Sequence, residues 1–310
     1  YITYDNIKGL IDIDEKTLNN YSVTYGDILF QRSSEIINDI GRTNVYLDKN
    51  NIATFGGFVI RGKRIGQYNP VFFNYLLKSP SSRKSIIRLG AGAQHYNIGQ
   101  ENIKTLNFCF PDEIEQAKIA CLFSKIDERI QIQIKIIKDL KMQRDHLIHS
   151  VFSSMNSKLL LITDIAEVYQ PQTISSEKFD EGAEFPVFGA NGIIGHYEKY
   201  NHENEQICIA CRGSSVGTIN ISKKKSWITG NSMVINSDNY DDMIDKKFLY
   251  YQLMFIDFYK YISGSGQPQI TRESLKNLKI KVPSLAIQHS ISNFLNHIDL
   301  KITIEAELLC

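Results

Sequence analysis

The sequence predicts an α+β fold made in duplicate: two mixed strand-and-helix globules, each followed by one long helix. Two observations carry this reading. The run Ile98, Glu101, Ile103, Lys104, Leu106, Phe108, Pro111, Gln116, Ile119, Phe123, Ile126, Asp127, Ile130 returns without a gap as Ile270, Glu273, Leu275, Lys276, Leu278, Ile280, Pro283, Gln288, Ile291, Leu295, Ile298, Asp299, Ile302. A shared apolar period would not also match Glu101 with Glu273, Pro111 with Pro283, Gln116 with Gln288 and Asp127 with Asp299, so one structural unit is built twice. The second observation is a seven-residue apolar recurrence that begins inside each copy and continues beyond it.

The elements follow in order. Asp27–Phe30 and Ile52–Arg61 have strand composition, and Pro70–Leu77 reads as a helix with proline in its opening turn. A glycine-rich turn, Gly90-Ala-Gly-Ala, precedes the first strict repeat, and Asp112 is placed to cap the helix after Pro111. In the second copy, Gln206–Ala210 and Met233–Ile235 read as strands and Phe248–Ile262 as an apolar-aromatic helix. Gly264-Ser-Gly then precedes the second repeat, where Ser284 is the expected cap. The expected boundaries are 1–111 for the first globule, 112–155 for the first long helix, 156–283 for the second globule and 284–310 for the second helix. Leu159–Phe185 has no counterpart ahead of Tyr1, and the second helix is the shorter, so the first globule is expected to be incomplete and the second helix shortened. Between the shared elements the loops diverge, as they do when one scaffold carries two specificities.

On the first long helix Phe123, Ile130, Ile137 and Val151 share one heptad position, and Ile126, Leu140 and Leu147 its partner. Leu295, Ile302 and Leu309, with Ile291 and Ile298, do the same on the second. Gln133 and Arg144 interrupt the first stripe, and Glu305 stands where Gln133 does, as register-fixing polar residues do. A coiled-coil seam between the two helices is expected.

Net charge is +1 over 310 residues, but it is segregated. No acid lies between Asp48 and Glu101, where Lys49, Arg61, Lys63, Arg64, Lys78, Arg83, Lys84 and Arg88 fall; none lies between Glu205 and Asp238, where Arg212, Lys223, Lys224 and Lys225 fall. A divided field of this kind suits a polyanion. No apolar run reaches the roughly 18–20 residues of a membrane span. Five cysteines without framework spacing suggest a reducing, cytoplasmic setting.

Catalytic patterns are weak. Asn69-Pro70-Val71-Phe72 lacks the second proline of a DNA-methyltransferase tetrad and reads better as a helix start. Gly62-Lys63-Arg64 is no phosphate loop, and Pro111-Asp112 with Glu115 and Lys118 has the wrong spacing for a nuclease. Cys208 and Cys211 lack a second ligand pair and sit in an apolar strand, and His146 with His149 lacks a third ligand.

The ordered set of Gly26-Asp-Ile-Leu-Phe, Arg32-Ser-Ser, Gly56-Gly57, Gly90-Ala-Gly-Ala, Pro111, Glu115-Gln116 and Ile126-Asp127 resembles the specificity subunit of type I restriction–modification systems. Phe185-Pro-Val-Phe-Gly-Ala-Asn-Gly, Arg212-Gly-Ser-Ser-Val-Gly and Trp227-Ile-Thr-Gly-Asn extend the likeness over nearly the whole chain. The resemblance implies two target-recognition domains joined by two conserved helices in an antiparallel coiled coil, non-catalytic, reading a bipartite asymmetric target on double-stranded DNA. It implies modification (methyltransferase) subunits and motor-nuclease subunits as partners, with S-adenosylmethionine, ATP and Mg2+ used by those partners and no cofactor in this chain. A self-contained methyltransferase or nuclease fragment, and a coiled-coil scaffold without DNA function, are the alternatives. Candidate DNA-binding residues are Gln31, Arg32, Ser34, Arg61, Lys63, Arg64, Gln94, His95 and Asn97 in the first half. In the second they are Asn191, His196, Arg212, Ser214, Ser215, Lys224, Asn231, Gln267 and Gln269.

Overall fold

The computed structural model describes residues 1–263 and 268–309, and the chain divides into two compact units, Tyr1–Gln131 and Ile132–Cys310. The expected Gly264 turn and Gln267 lie outside the described residues. The architecture is α+β.

The first unit opens with helix α1 (Glu15–Tyr21), capped by Asp14, whose carboxylate accepts from the Thr17 amide at 2.8 Å. Strands β1 (Ser22–Val23), β2 (Ile28–Gln31), β3 (Ser33–Ser34), β4 (Thr43–Val45), β5 (Ala53–Thr54) and β6 (Val59–Gly62) follow. Then come α2 (Pro70–Leu76), α3 (Pro80–Ile87), β7 (Tyr96–Asn97), α4 (Gln100–Lys104) and α5 (Glu113–Ser154), a helix that continues into the second unit. Strand β2 is the centre of an antiparallel sheet with β4 and β6, while β1 pairs with β5 and β3 with β7. Phe30 and Ile60 from that sheet meet Leu77, Ile86, Ile40 and Ile98 in the core. The single strand expected over 52–61 is two: the chain turns at Gly56 and Gly57, where the Gly56 carbonyl takes the Val59 amide, so β5 and β6 join different partners.

The second unit contributes β8 (Lys158–Leu161), β9 (Glu167–Tyr169), β10 (Phe185–Gly189), β11 (Gly192–Tyr197), β12 (Ile207–Ala210), β13 (Ile219–Ile221), β14 (Trp227–Ile228) and β15 (Ser232–Asn236). Helices α6 (Lys246–Phe255) and α7 (Arg272–Leu275), strand β16 (Lys279–Val282) and helix α8 (Leu285–Glu307) complete it. An antiparallel sheet runs β13-β12-β15-β9, a smaller one β11-β10-β14, and β16 pairs with β8. Strand β12 is buried on both faces. Ile207 and Ile209 join Phe152, Phe248, Leu275, Ile280 and Leu295 in the main core, while Cys208 faces Phe188, Ile228 and Val234. Burial pushes the Cys208 thiol up to about 12, and Cys211 donates to the Gly230 and Asn231 carbonyls. Both cysteines are packing residues.

The duplication reaches individual hydrogen bonds. Buried Gln116 accepts from the Asn69 amide at 2.9 Å and donates to the Pro111 carbonyl at 2.8 Å. Buried Gln288 accepts from the Asp245 amide at 2.8 Å and donates to the Pro283 carbonyl at 2.9 Å. Asn69 caps α2 by accepting from Phe72, and Asp245 caps α6 by accepting from Phe248. Each glutamine therefore locks the start of a globule helix to the start of a long helix. Asn69-Pro70 is a helix start, as its sequence suggests.

Three local expectations change. Ser284 makes no side-chain cap; its carbonyl instead takes the Ile287 and Gln288 amides at 3.0 Å each, whereas Asp112 does cap, accepting from Glu115 at 2.9 Å. The helix expected over 248–262 stops at Phe255, because Asp257 caps a new 3-10 turn over Phe258–Tyr261. The apolar stripe is covered only in part. In the second unit α8 lies antiparallel to α5: Gln133 donates to the Glu305 carboxylate at 2.6 Å, and Arg144 to Asp299 at 2.9 Å. Leu295 and Ile302 are buried there, and Ile137, Leu140, Leu147, Ile291 and Ile298 half-buried. Phe123, Ile126, Ile130 and Leu309 are exposed, at 42%, 45%, 40% and 40%. A heptad pattern marks a face able to receive a helix; it does not set how far a partner runs.

Candidate nucleic-acid interface

In the second unit, Arg212 follows β12 and forms an antiparallel bridge with Gln269, and the Ile270 amide donates to the Cys211 carbonyl at 3.0 Å. Gly217, at φ +87°, returns its amide to the Ala210 carbonyl at 2.8 Å and so closes the loop carrying Gly213, Ser214 and Ser215. Only a residue at ease in the left-handed region fits there. Arg212 and Ser214 are exposed, and Asn231 lies beside them, its carbonyl taking the Cys211 amide. The cleft between these segments, about 370 Å³, is lined by Gln170, Arg212, Gln269, Thr271 and Arg272. Gln170 is braced on the Gly230 carbonyl. The result is a concave, polar, cationic edge on a rigid sheet.

The first unit builds the same crossing. The Ile98 amide donates to the Arg32 carbonyl at 3.0 Å, Ser33 pairs with Asn97, and Gly41, at φ +62°, returns its amide to the Gln31 carbonyl at 2.9 Å. Ser33 and Asn97 thus occupy the places of Arg212 and Gln269, and their side chains lie 2.7 Å apart. Gln94 and His95 are exposed on the turn before β7. A cleft of about 480 Å³ is lined by Arg32, Gly56, Gly57, Gln100 and Glu101. One backbone frame thus presents Ser and Asn in one unit and Arg and Gln in the other.

Residues 156–309 match the family model described as the type I restriction modification DNA specificity domain. The chain is 26% identical over 166 residues to the specificity subunit of the EcoprrI type I restriction enzyme of Escherichia coli, an alignment covering 52% of this chain and 41% of that one. It is 26% identical over 324 residues to the putative MjaX type I specificity subunit of Methanocaldococcus jannaschii, covering 93% and 75%. Among solved structures, the type I restriction–modification S subunit of Mycoplasma genitalium superposes with a TM-score of 0.61 at 20% identity, over 94% of this chain and 80% of that one. The chain belongs to the specificity-subunit family of type I restriction–modification systems. It spans less than half the length of the Escherichia coli relative that it matches.

Within this specificity-subunit fold, the remaining candidates separate by what their side chains already hold. Arg61 donates to the Ser22 and Asn20 carbonyls and lies over Phe55, and Arg64 donates to the Tyr68 carbonyl at 2.9 Å with its guanidinium 5.0 Å from the Tyr68 ring. Both are internal braces, as is Arg83, which gathers the Asn38, Ile40 and Gly41 carbonyls. Half-buried Gln31 donates to the Ser33 carbonyl, and Ser34 accepts from the Ile36 amide to close a turn. Lys63 and Lys224 are exposed. His196 lies on β11 opposite Pro186, and Asn191 at the β10–β11 turn accepts from Asn220, so these two belong to the smaller sheet and not to the Arg212 cleft. Sequence reasoning missed Ser33, Gln100, Gln170, Thr271 and Arg272. Arg272 stands where the repeat has Gln100, and Ser33 is matched to Arg212 by the backbone bonds of the crossing, not by a gapless alignment on Gly41 and Gly217.

Proposed function

We propose that the chain reads a bipartite, asymmetric target on double-stranded DNA, one half-site per unit, and supplies that choice to partners that modify and cut. The observation that carries the reading is the duplicated crossing, whose backbone is constant while its outward side chains differ. Arg212 with Gln269 has donors suited to guanine and adenine edges in a major groove, and Ser33 with Asn97 a smaller, neutral set. Exposed Lys63, Lys224 and Arg272 supply phosphate attraction that is indifferent to sequence. Helix α5, 42 residues and about 63 Å long at 1.5 Å per residue, serves as the spacer between half-sites. Modification subunits dock along the long helices, motor-nuclease subunits join them, and S-adenosylmethionine, ATP and Mg2+ are theirs. Work on chromosomal DNA places the chain in the cytoplasm; among the described residues no helix is long and apolar enough to cross a membrane.

Methylome mapping of a host that expresses the chain with its modification partners tests this. Arg212→Ala with Gln269→Ala should relax or erase one half-site and leave the other, and Ser33→Ala with Asn97→Ala should do the converse. Each lost base-edge pair costs about 1–3 kcal/mol of discrimination. An unchanged motif in both variants, or loss of the same half-site in both, refutes the assignment.

A further inference from the structure

Beside each crossing runs a short segment that the two units build alike. In the first unit Ile86 lies against Gly41, where a side chain on the glycine would be, and Ala91 exchanges both backbone bonds with Asn97, at 3.0 and 2.8 Å. In the second, Phe258 lies against Gly217 in the same way, and Ser263 exchanges both bonds with Gln269, at 2.9 and 3.0 Å. Ile86 and Phe258 are buried, and Gly90 and Ile262 close matching turns on the Ile87 and Tyr259 carbonyls. These pairs keep the spacing that sets Ile270 on Ile98. Each segment is thus fixed at one end under the loop glycine, and at the other to the residue that varies between the units.

Arg88 and Lys260 stand at the same place in this segment. At the spacing of the repeat only two other cation pairs recur, Lys104 with Lys276 and Arg129 with Lys301. Lys104 and Lys276 are held by their own Glu101 and Glu273, at 2.7 and 2.6 Å, and Arg129 and Lys301 lie on the long helices. Arg88 is exposed, and its side chain has no ion-pair or hydrogen-bond partner among the described residues. The Lys260 side chain is 78% exposed and reaches only Asp257, itself 54% exposed, at 3.9 Å, a contact worth little in water. Around the two cations the sequence changes freely: Ser85 becomes Asp257, Ile87 becomes Tyr259 and Leu89 becomes Tyr261.

We infer that Arg88 and Lys260 are equivalent phosphate anchors, one for each half-site, that set the register of each crossing on the duplex. The inference rests on the DNA reading and extends it. A base-edge contact must differ between two readers of different sequences, whereas a phosphate contact carries no sequence information and can stay the same. Arg212 with Gln269 against Ser33 with Asn97 has the first property. Arg88 against Lys260 has the second, and the exchange of one cation for the other fits a phosphate, which accepts either. Three residues carry the chain from Arg88 to Ala91, and from Lys260 to Ser263, at most about 10 Å. That span suits a major groove about 12 Å wide, with the reader on the bases and the cation on the backbone beside them.

Fluorescence anisotropy of the full chain tests this, with a labelled duplex carrying the motif that methylome mapping returns and a second duplex in which that motif is scrambled. Between about 50 and 200 mM salt, Arg88→Ala and Lys260→Ala should each lower the slope of log affinity against log salt by about 0.9. Affinity should fall by the same factor on both duplexes, and the methylated motif should stay unchanged. Arg88→Lys and Lys260→Arg should restore the parent slope. The inference is overturned, with the DNA reading left in place, if either alanine variant keeps the parent slope or the charge-keeping variants fail to restore it. A loss confined to the motif-bearing duplex, or an altered motif, overturns it equally, since the cation would then read bases. A parent chain that binds neither duplex, or binds without dependence on salt, overturns both readings.

Discussion

Replacing Gln288 by alanine tests the duplicated frame at its most buried polar point. The side chain is 0% exposed and makes three bonds: it accepts from the Asp245 amide at 2.8 Å and donates to the Pro283 and Met243 carbonyls at 2.9 and 3.0 Å. Through them it fixes the first turn of α6 against the first turn of α8. Alanine leaves one buried amide and two carbonyls without these partners. Each carbonyl has a second lone pair and the cavity is polar enough to admit a water, so the loss per bond stays near 1 kcal/mol and does not reach the full desolvation cost. The sum is about 3 kcal/mol, or roughly 6–12 °C in the unfolding midpoint of a unit of this size. Gln288→Glu keeps the shape but aims an oxygen at two carbonyls, so it should destabilise at least as much at neutral pH. The single tryptophan, Trp227, lies in the second unit, so its fluorescence through a urea titration reports that unit directly. Gln288→Ala costing under about 1 kcal/mol, or Gln288→Glu as stable as the parent, would refute the clasp.

Two further outcomes follow from side chains already engaged. Arg64→Ala should lower the stability of the first unit by about 1–2 kcal/mol, through loss of the bond to the Tyr68 carbonyl and the stacking on Tyr68, while leaving the salt dependence of DNA binding unchanged; a shallower salt slope at full stability would return Arg64 to the interface. The buried His202 ring lies 2.6 Å from Asn201 Oδ1 and 2.8 Å from the Tyr169 hydroxyl, and burial lowers its pKa below the ordinary 6.5. Asn201 Oδ1 already accepts from the Ile228 amide, so the ring presents Nδ1–H to it and Nε2 accepts from Tyr169. The neutral ring is the folded form, so its contribution is complete above pH 6.5 and is lost as pH falls below that value. Melting curves followed at Trp227 between pH 7.5 and about 5 should show this loss, reduced in His202→Asn; an equal acid loss in both chains would sink the assignment.

The frame was legible because its determinants are local or periodic. Asn69-Pro70 and Asp112 announce helix starts, and Gln116 and Gln288 stand out as polar residues fixed within an apolar repeat. Arg61, Arg64 and Arg83 were not legible as braces. Their basic run looks the same from sequence whether a guanidinium faces solvent or gathers backbone carbonyls, from distant loops for Arg61 and Arg83 and from nearby Tyr68 for Arg64, and only the folded chain decides. Ser33 was hidden because the two crossings differ by one residue from any alignment that matches Arg32 with Arg212. The true equivalence follows the backbone bonds of Ile98 with Arg32 and Ile270 with Cys211.

That offset explains how one scaffold can carry two specificities. At the crossings the bonds that set the strand pairing are made by backbone groups, and the side chains add only the exposed Ser33–Asn97 bond and a long bond from Asn97 to the His95 carbonyl, so Ser33, Asn97, Arg212 and Gln269 can change identity at little cost to the frame. At the long helices the opposite holds. Gln116 and Gln288, Tyr75 and Tyr251, Asp127 and Asp299 bond through their side chains, so the two copies keep the same residue at each. Variation is therefore concentrated at positions where the backbone carries the pairing and the side chain adds little to it. On this reasoning exchanging the Ser33–Asn97 and Arg212–Gln269 pairs between units alters recognition with little change in stability, whereas exchanging a clasp residue for anything else is felt throughout its unit.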